Sequence, residues 1–465
     1  MSESNVELQL HGSQEDFVDL FGVPASFVET SGGSPMYMRS IFINATAKKT
    51  IAVGASETQA VEVVDNTLKV IQPGRGLFSA NIIMTQLSIF APGDEMELTL
   101  YSDNRYSIEQ VGGSRSTVED SVPMDNSVKV PNVGDFNPTE FIALDPNEFV
   151  AALSIVANAS HQENSRPMFK GVYYELLKDG RVFLAGSNGG SSFSSTIINT
   201  STVGKTPEGT KIRGLLIPGD IQGRAGLFRQ GDVLELHTSE TGDVHFLVRS
   251  KDEVLYNIRM AQISGMGEHL NKYPIRKLAA KNLQLLQRSG VQVDIDRNSL
   301  LERLDAAVTI GALDQISEMG SNRRVNLYFK RADPTDPSST YVVEARVYNG
   351  AKGIDEDGRP NYTGVVKFED ETDVQSHDGL SDREVAFSLH YGLYAGVLRS
   401  APVEGAMDFH ITLAGSPLKP IAVNVVKGGF AKEPVVVSDD FDLGTMPEFM
   451  TTFAIEGLYV AEYED

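Results

Sequence analysis

Neither cysteine nor tryptophan occurs in the 465 residues. Without cysteine there are no disulfides, no thiolate metal ligands and no cysteine nucleophile, and the chain suits a reducing compartment. No apolar run is long enough to span a bilayer. The opening MSESNVELQL has neither the basic stretch nor the apolar core of a secretory signal, so a soluble, cytoplasmic protein is expected. Positive charge is short as well: 40 Lys and Arg stand against 63 Asp and Glu, a net charge of −23. Such a balance argues against binding nucleic acid over the whole surface. It still permits basic residues along one wall, with an acidic remainder that confers solubility and repels non-specific contact.

Motifs for catalysis are missing too. The eight histidines include no HExxH and no paired metal spacing. Asp294, Asp296 and Asn298 are spaced like the start of a calcium loop, but its sixth-position glycine and twelfth-position glutamate are lacking, which leaves a strand-to-helix junction. Gly265-Met266-Gly267 lacks the third glycine and following helix of a dinucleotide fingerprint. GKTPEGTK around Lys205 lacks the spacing of a phosphate loop, and IDEDGRPN reads as an acidic solvated turn. The expectation is a protein that is not an enzyme and uses neither metal nor cofactor.

What the chain does have is repetition. Its length suits about three units of ~150 residues, with boundaries at 1–135, 136–280 and 281–465. The phrases APGDEMELTL and RQGDVLELHT can be laid over each other, each with a Gly-Asp stop between a helix and a strand, and such internal repetition is a fold signal. In the first unit Ser13 caps a helix running to Val28, with Phe17, Leu20 and Phe21 on one face and Pro24 near its end. Strands at 40–45, 50–55 and 67–72 precede a second helix, Gly76 to Ala91, and strands at 96–101, 106–111 and 114–118 follow. In the middle unit Asp145 and Pro146 open a helix carrying Phe149, Leu153 and Val156. Strands 168–177 and 181–185 then meet at a Lys178-Asp179-Gly180 turn. A second helix runs from near Pro218 to Gln230, before strands at 233–237, 244–249 and 253–262.

The third unit starts with a strand through Val291, Val293 and Ile295, then a helix capped by Asn298 or Ser299 and carrying Leu300, Leu301, Leu304, Ala307 and Val308. Strands at 324–330, 340–348 and 385–388, a helix from Tyr391 to Ser400, and strands at 407–414, 421–426 and 453–460 complete it. Two segments, 351–382 and 427–448, exceed the repeat and read as loops or decorations. The fold class is α+β, with two helices per unit packed on antiparallel sheets.

Between Phe141 and Phe193 the order is helix, polar break, strand entry, hairpin and Gly/Ser loop. Arg166, Pro167, Gly171 and Val172 stand at the strand entry and Ala185-Gly186-Ser187-Asn188-Gly189 at the turn. This resembles the start of the middle domain in the bacterial-type DNA polymerase sliding clamp, the β clamp or DNA polymerase III beta subunit. The entry matches well, whereas the family's Thr-Asp-Gly-His-Arg-Leu turn has become a Gly/Ser run. By order of elements the resemblance extends over roughly residues 5 to 460.

The resemblance implies a DNA clamp fold: three clamp domains per subunit, two subunits head to tail, and a ring around duplex DNA with helices inside and sheets outside. Such a ring is a processivity factor that tethers a replicative polymerase. Because closure keeps it on DNA, its inner contacts need only be weak and sequence-independent. The candidates to face DNA are Arg75, Arg166, Arg213, Arg224, Arg229, Arg297, Arg303 and Arg399, although the first helix contributes no basic residue. A hydrophobic cleft for a short linear motif of the polymerase, clamp loader and repair proteins would be lined by Gly190, Phe193, Pro274, Arg276, Leu278, Phe453, Ile455 and Leu458. Val118 and Ile310 are candidates for the homodimer interface. No membrane partner is implied. The altered turn and the acidic tail AEYED imply a divergent peptide preference, as a phage clamp with its own polymerase would have. Two other readings stay open: a structural or assembly protein, such as a phage component with clamp-like repeats, and a clamp used outside replication.

Overall fold

The computed structural model describes residues 5–124, 130–160, 167–189, 192–204, 212–238, 243–251, 253–260, 273–287, 292–295, 297–313, 324–331, 333, 335–336, 339, 341–348, 362–367, 374–378, 383–390, 395, 408–412, 421–427 and 433–462. Among them the α-helices are α1 (Gln14–Ala25), α2 (Ala80–Leu87), α3 (Pro146–Ala157), α4 (Pro218–Gln222), α5 (Ala225–Phe228), α6 (Ile275–Gln287) and α7 (Arg297–Leu313). No helix among the described residues is long and apolar enough to cross a membrane. The chain divides into one unit of Met1–Asn147, Thr200–Ile212 and Gly223–Ser264 and another of Glu148–Asn199, Arg213–Gln222 and Gly265–Asp465.

In the first unit the strand Val6–Ser13 runs directly into α1. Ser13 is the N-cap that the sequence calls for. Its hydroxyl accepts from the Asp16 amide and the Asp16 carboxylate accepts from the Ser13 amide, so two donors at the helix start are satisfied reciprocally. Phe17, Leu20 and Phe21 are buried beneath it, and the helix stops at Ala25, just past Pro24, short of Val28. Gly54 permits α1 to approach its sheet, since a Cβ there would lie 2.1 Å from the Pro24 carbonyl oxygen.

The expected helix from Gly76 is corrected. Gly74–Ser79 is a strand paired with Ser40–Ala45, and α2 begins only at Ala80. An apolar run bounded by glycines fits either period; here the backbone pairs with a neighbouring strand, which satisfies its polar groups. The expected helix 218–230 is broken into α4 and α5, as three glycines at 219, 223 and 226 would favour.

Among the described residues two sheets build this unit. One has the order 69–72, 6–13, 95–101, 105–110, 116–120. The other has nine strands, 202–203, 141–144, 233–238, 244–250, 253–260, 59–65, 50–55, 40–45 and 74–79. Within the nine, Ile258 pairs with Val61, so strands on both sides of the sequence boundary near 135 share one sheet. The Gly-Asp repeats occupy equivalent places: Gly93-Asp94 precedes the strand that pairs with Val6–Ser13, and Gly231-Asp232 the one that pairs with Phe141–Leu144. Both of those partner strands lead into helices, α1 and α3, and Gln292–Ile295 leads into α7 in the same way.

The second unit is organised on a sheet of eleven strands among the described residues. Its hairpin Val172–Leu176 and Val182–Ser187 closes at Gly180, where φ is +86°. The 14-residue strand Phe449–Glu462 is central. Residues 449–453 pair with Ser192–Ile198 on one side and Ile421–Lys427 on the other, and 456–462 pair with Arg383–His390. Part of the supposed decoration 351–382 is corrected to sheet: Tyr362–Lys367 extends it beyond Tyr341–Tyr348, and Val374–Asp378 pairs with Gln292–Ile295. Of the expected helix 391–400 only Ala395 lies among the described residues.

Candidate partner-binding site

In sequence the stretch Tyr273 to Leu278, with its proline and its Arg276-Lys277 pair, reads as a linker after the second clamp domain; in the structure it leads directly into α6, the Leu278 amide donating to the Pro274 carbonyl at 2.9 Å. Ile275, Ala279, Ala280 and Leu283 bury one face of this helix, which packs against the strand Ser192–Ile198. Pro274 and Leu278 are half-buried. Tyr273 is buried against the hairpin, its ring parallel to that of Tyr173 at 5.8 Å between centroids and tilted against Phe169 at 5.4 Å. Its hydroxyl is buried and has no hydrogen-bond partner among the described residues.

Beside these rings Arg276 reaches Glu175 at 2.5 Å, with side chains 21% and 7% exposed. The other carboxylate oxygen of Glu175 accepts from the Tyr173 hydroxyl. Burial, reinforced by the adjacent carboxylate, holds the Tyr173 phenol far above its ordinary pKa, so it acts as a donor. Tyr173, Glu175, Tyr273 and Phe169 were not singled out from the sequence. The alternation of Tyr173 and Glu175 on one strand face was visible, but their partners lie about a hundred residues later.

The expected cleft residues are only partly brought together. Phe193 and Phe453 lie on paired strands, where Phe453 is opposite Ser192, and Ile455 is opposite Ile421. Leu458 lies three residues on, at a register shift against Arg383–His390. Phe193 is 2% exposed and packs the core rather than lining an open cleft. Pro274 immediately precedes α6, and Arg276 and Leu278 lie in its first turn. Gly190 lies outside the described residues.

The arginines expected to face DNA divide by environment. Arg75 and Arg229 are exposed. Arg213 is half-buried near the Tyr173 phenol. Arg224 is committed locally: it donates to the Ser26 carbonyl at 2.6 Å and the Ser26 hydroxyl at 3.1 Å, and stacks 4.0 Å over Phe27. Arg303 is corrected to a core residue, 1% exposed. Arg297 opens α7, while Arg166 and Arg399 lie outside the described residues. Helices α1, α2 and α3 contain neither lysine nor arginine.

Val118 is 61% exposed on the edge strand Ser116–Asp120. Ile310 belongs to α7 itself rather than following it.

No family model and no curated protein matches the sequence. Solved structures do match the fold. The DNA polymerase sliding clamp of Bacillus subtilis aligns over 97% of this chain and 100% of its own, with a TM-score of 0.69 at 12% identity. The beta subunit of DNA polymerase from Streptococcus pyogenes aligns over 96% and 99%, with a TM-score of 0.68 at 15% identity. A beta sliding clamp of Caulobacter crescentus aligns over 96% and 98%, with a TM-score of 0.65 at 14% identity. From end to end, therefore, this chain has the fold of the bacterial DNA polymerase sliding clamps.

Proposed function

We propose that this protein is a DNA sliding clamp, a non-enzymatic processivity factor that encircles duplex DNA and tethers a replicative polymerase. The observation that carries the reading is the extent of the likeness: nearly all of this chain aligns with nearly all of a sliding clamp. A local motif could be borrowed by another function, whereas a whole-chain match without a catalytic constellation favours the ring itself. In this reading each subunit has three clamp domains, two subunits join head to tail, and the cleft around α6 receives a linear motif from the polymerase and clamp loader. The scarcity of basic side chains on α1, α2 and α3 fits weak contact, which lets a topologically closed ring slide.

The test is retention. Protein loaded on nicked circular DNA should elute with it in gel filtration at moderate salt and be lost after linearisation. Tight, sequence-selective binding to short linear duplexes would defeat the reading.

A further inference from the structure

The segment 433–448 reads as a decoration in sequence, yet it is laid along α6 and bonded to it stepwise. The Gln287 side chain donates to the Glu433 carbonyl at 2.5 Å and accepts from the Val435 amide at 2.9 Å, and Gln284 donates to the Val435 carbonyl at 3.2 Å. Lys277 pairs with Asp439 at 2.8 Å, and Arg276 donates to the Phe441 carbonyl at 2.6 Å. As the segment advances from 433 to 441, its partners step back along α6 from 287 to 276, so the two run antiparallel. Most of these bonds read main-chain atoms, as in the recognition of extended peptides.

Side chains supply the rest. Phe441 is half-buried, Leu443 is fully buried and Met446 nearly so. Val436 and Val437 point to solvent, 74% and 39% exposed. The segment is acidic at Asp439, Asp440 and Asp442, and α6 offers Arg276, Lys277 and Lys281. A course outside any strand, exposed apolar residues and anchors confined to one end describe a docked peptide better than a core loop.

We propose that the face of α6 carrying Arg276 is a docking surface for short acidic peptides with apolar anchors in the pattern Phe-Asp-Leu. Residues 433–446 are its resident occupant, and a partner's peptide must displace them. The inference rests on the reading of the α6 cleft as the partner site. Because the occupant is tethered, its effective concentration is high and an intact chain binds such peptides weakly.

The probe is a fluorescein-labelled peptide SDDFDLGTM, residues 438–446, titrated by anisotropy against the full chain. Replacing 436–444 with nine Gly and Ser residues should tighten binding at least about tenfold, and adding Arg276→Ala should abolish the gain. If the replacement does not fold, Gln284→Ala with Gln287→Ala decides, since it frees the start of the segment and leaves Leu443 and Met446 in place; a gain of about threefold is expected. Equal affinity in the parent and in whichever folded variant is read overturns the proposal. Retention on circular DNA is scored separately. Displacement without retention sinks the clamp reading and keeps this one, and retention without displacement does the reverse.

Discussion

The guanidinium of Arg276 lies 2.5 Å from the carboxylate of Glu175, joining the first turn of α6 to the strand Val172–Leu176 with both side chains largely withdrawn from water. Removing one partner of such a pair leaves a charge that is desolvated and uncompensated. Arg276→Ala should lower the stability of the second unit by ~2–3 kcal/mol in urea unfolding, below the range for fully buried pairs because the arginine keeps partial contact with water. Arg276→Lys should recover only part, since an ammonium cannot reach both Glu175 and the Phe441 carbonyl with one rigid fork. A loss within ~0.5 kcal/mol for the alanine variant would reduce the pair to a surface contact.

A second prediction concerns acid. His245 is buried in the first unit, 5.0 Å from the Phe136 ring, with Asp243 and Arg259 at the same hollow. Burial pushes its pKa down; Asn257 and Asp243 oppose the shift, while Arg259 and His237 add to it. A histidine depressed in the fold takes up protons more readily once unfolded, so stability falls as pH drops below the unfolded value of ~6.5 and levels off below the folded one. The melting temperature should decline between pH 7 and 5, and His245→Gln should remove part of that slope. Parallel profiles for the two proteins would exclude the histidine as a source.

Much of this fold was legible because its signals are local. Ser13 caps α1, Gly180 closes the hairpin, and the Gly93-Asp94 and Gly231-Asp232 stops mark repeated strands. α6 was missed although Ile275, Ala279 and Leu283 recur at helical spacing, because Pro274 and the basic pair after it read as a linker. Residues 76–79 of the strand Gly74–Ser79 read as helix in sequence because neither period is decisive over so short a run. Site environment was the least legible part. Nothing near Arg303 announces that it is buried, and nothing near Arg224 announces that Ser26 and Phe27 hold it. Those contacts join residues up to about two hundred positions apart.

Gly54 tests the packing of α1. A methyl at this position would collide with the Pro24 backbone, which cannot swing aside as a long side chain can. Gly54→Ala should destabilise the first unit by ~1–3 kcal/mol, although alanine ordinarily suits a strand better than glycine. A variant as stable as the parent would mean that the end of α1 yields freely.

The last prediction addresses assembly. The strand Ser116–Asp120 is bonded on one side only among the described residues, to Arg105–Gln110. Its midpoint, Val118, is 61% exposed, and Val111 nearby is 51% exposed. An apolar edge with unpaired backbone groups is a liability that proteins usually blunt or cover. Head-to-tail association would cover it with a strand of the other subunit, burying Val118 and completing the backbone pairing. Val118→Asp would then bury a carboxylate next to Glu119 and Asp120, and should weaken the dimer by ~10–100-fold, equivalent to ~1.4–2.8 kcal/mol. The valine is largely outside the core, so the monomer should melt as before, separating loss of association from loss of fold. Sedimentation velocity at micromolar concentration reads the outcome: a parent that sediments strictly as a monomer, or a variant that dimerises as well as the parent, removes this strand from the subunit interface.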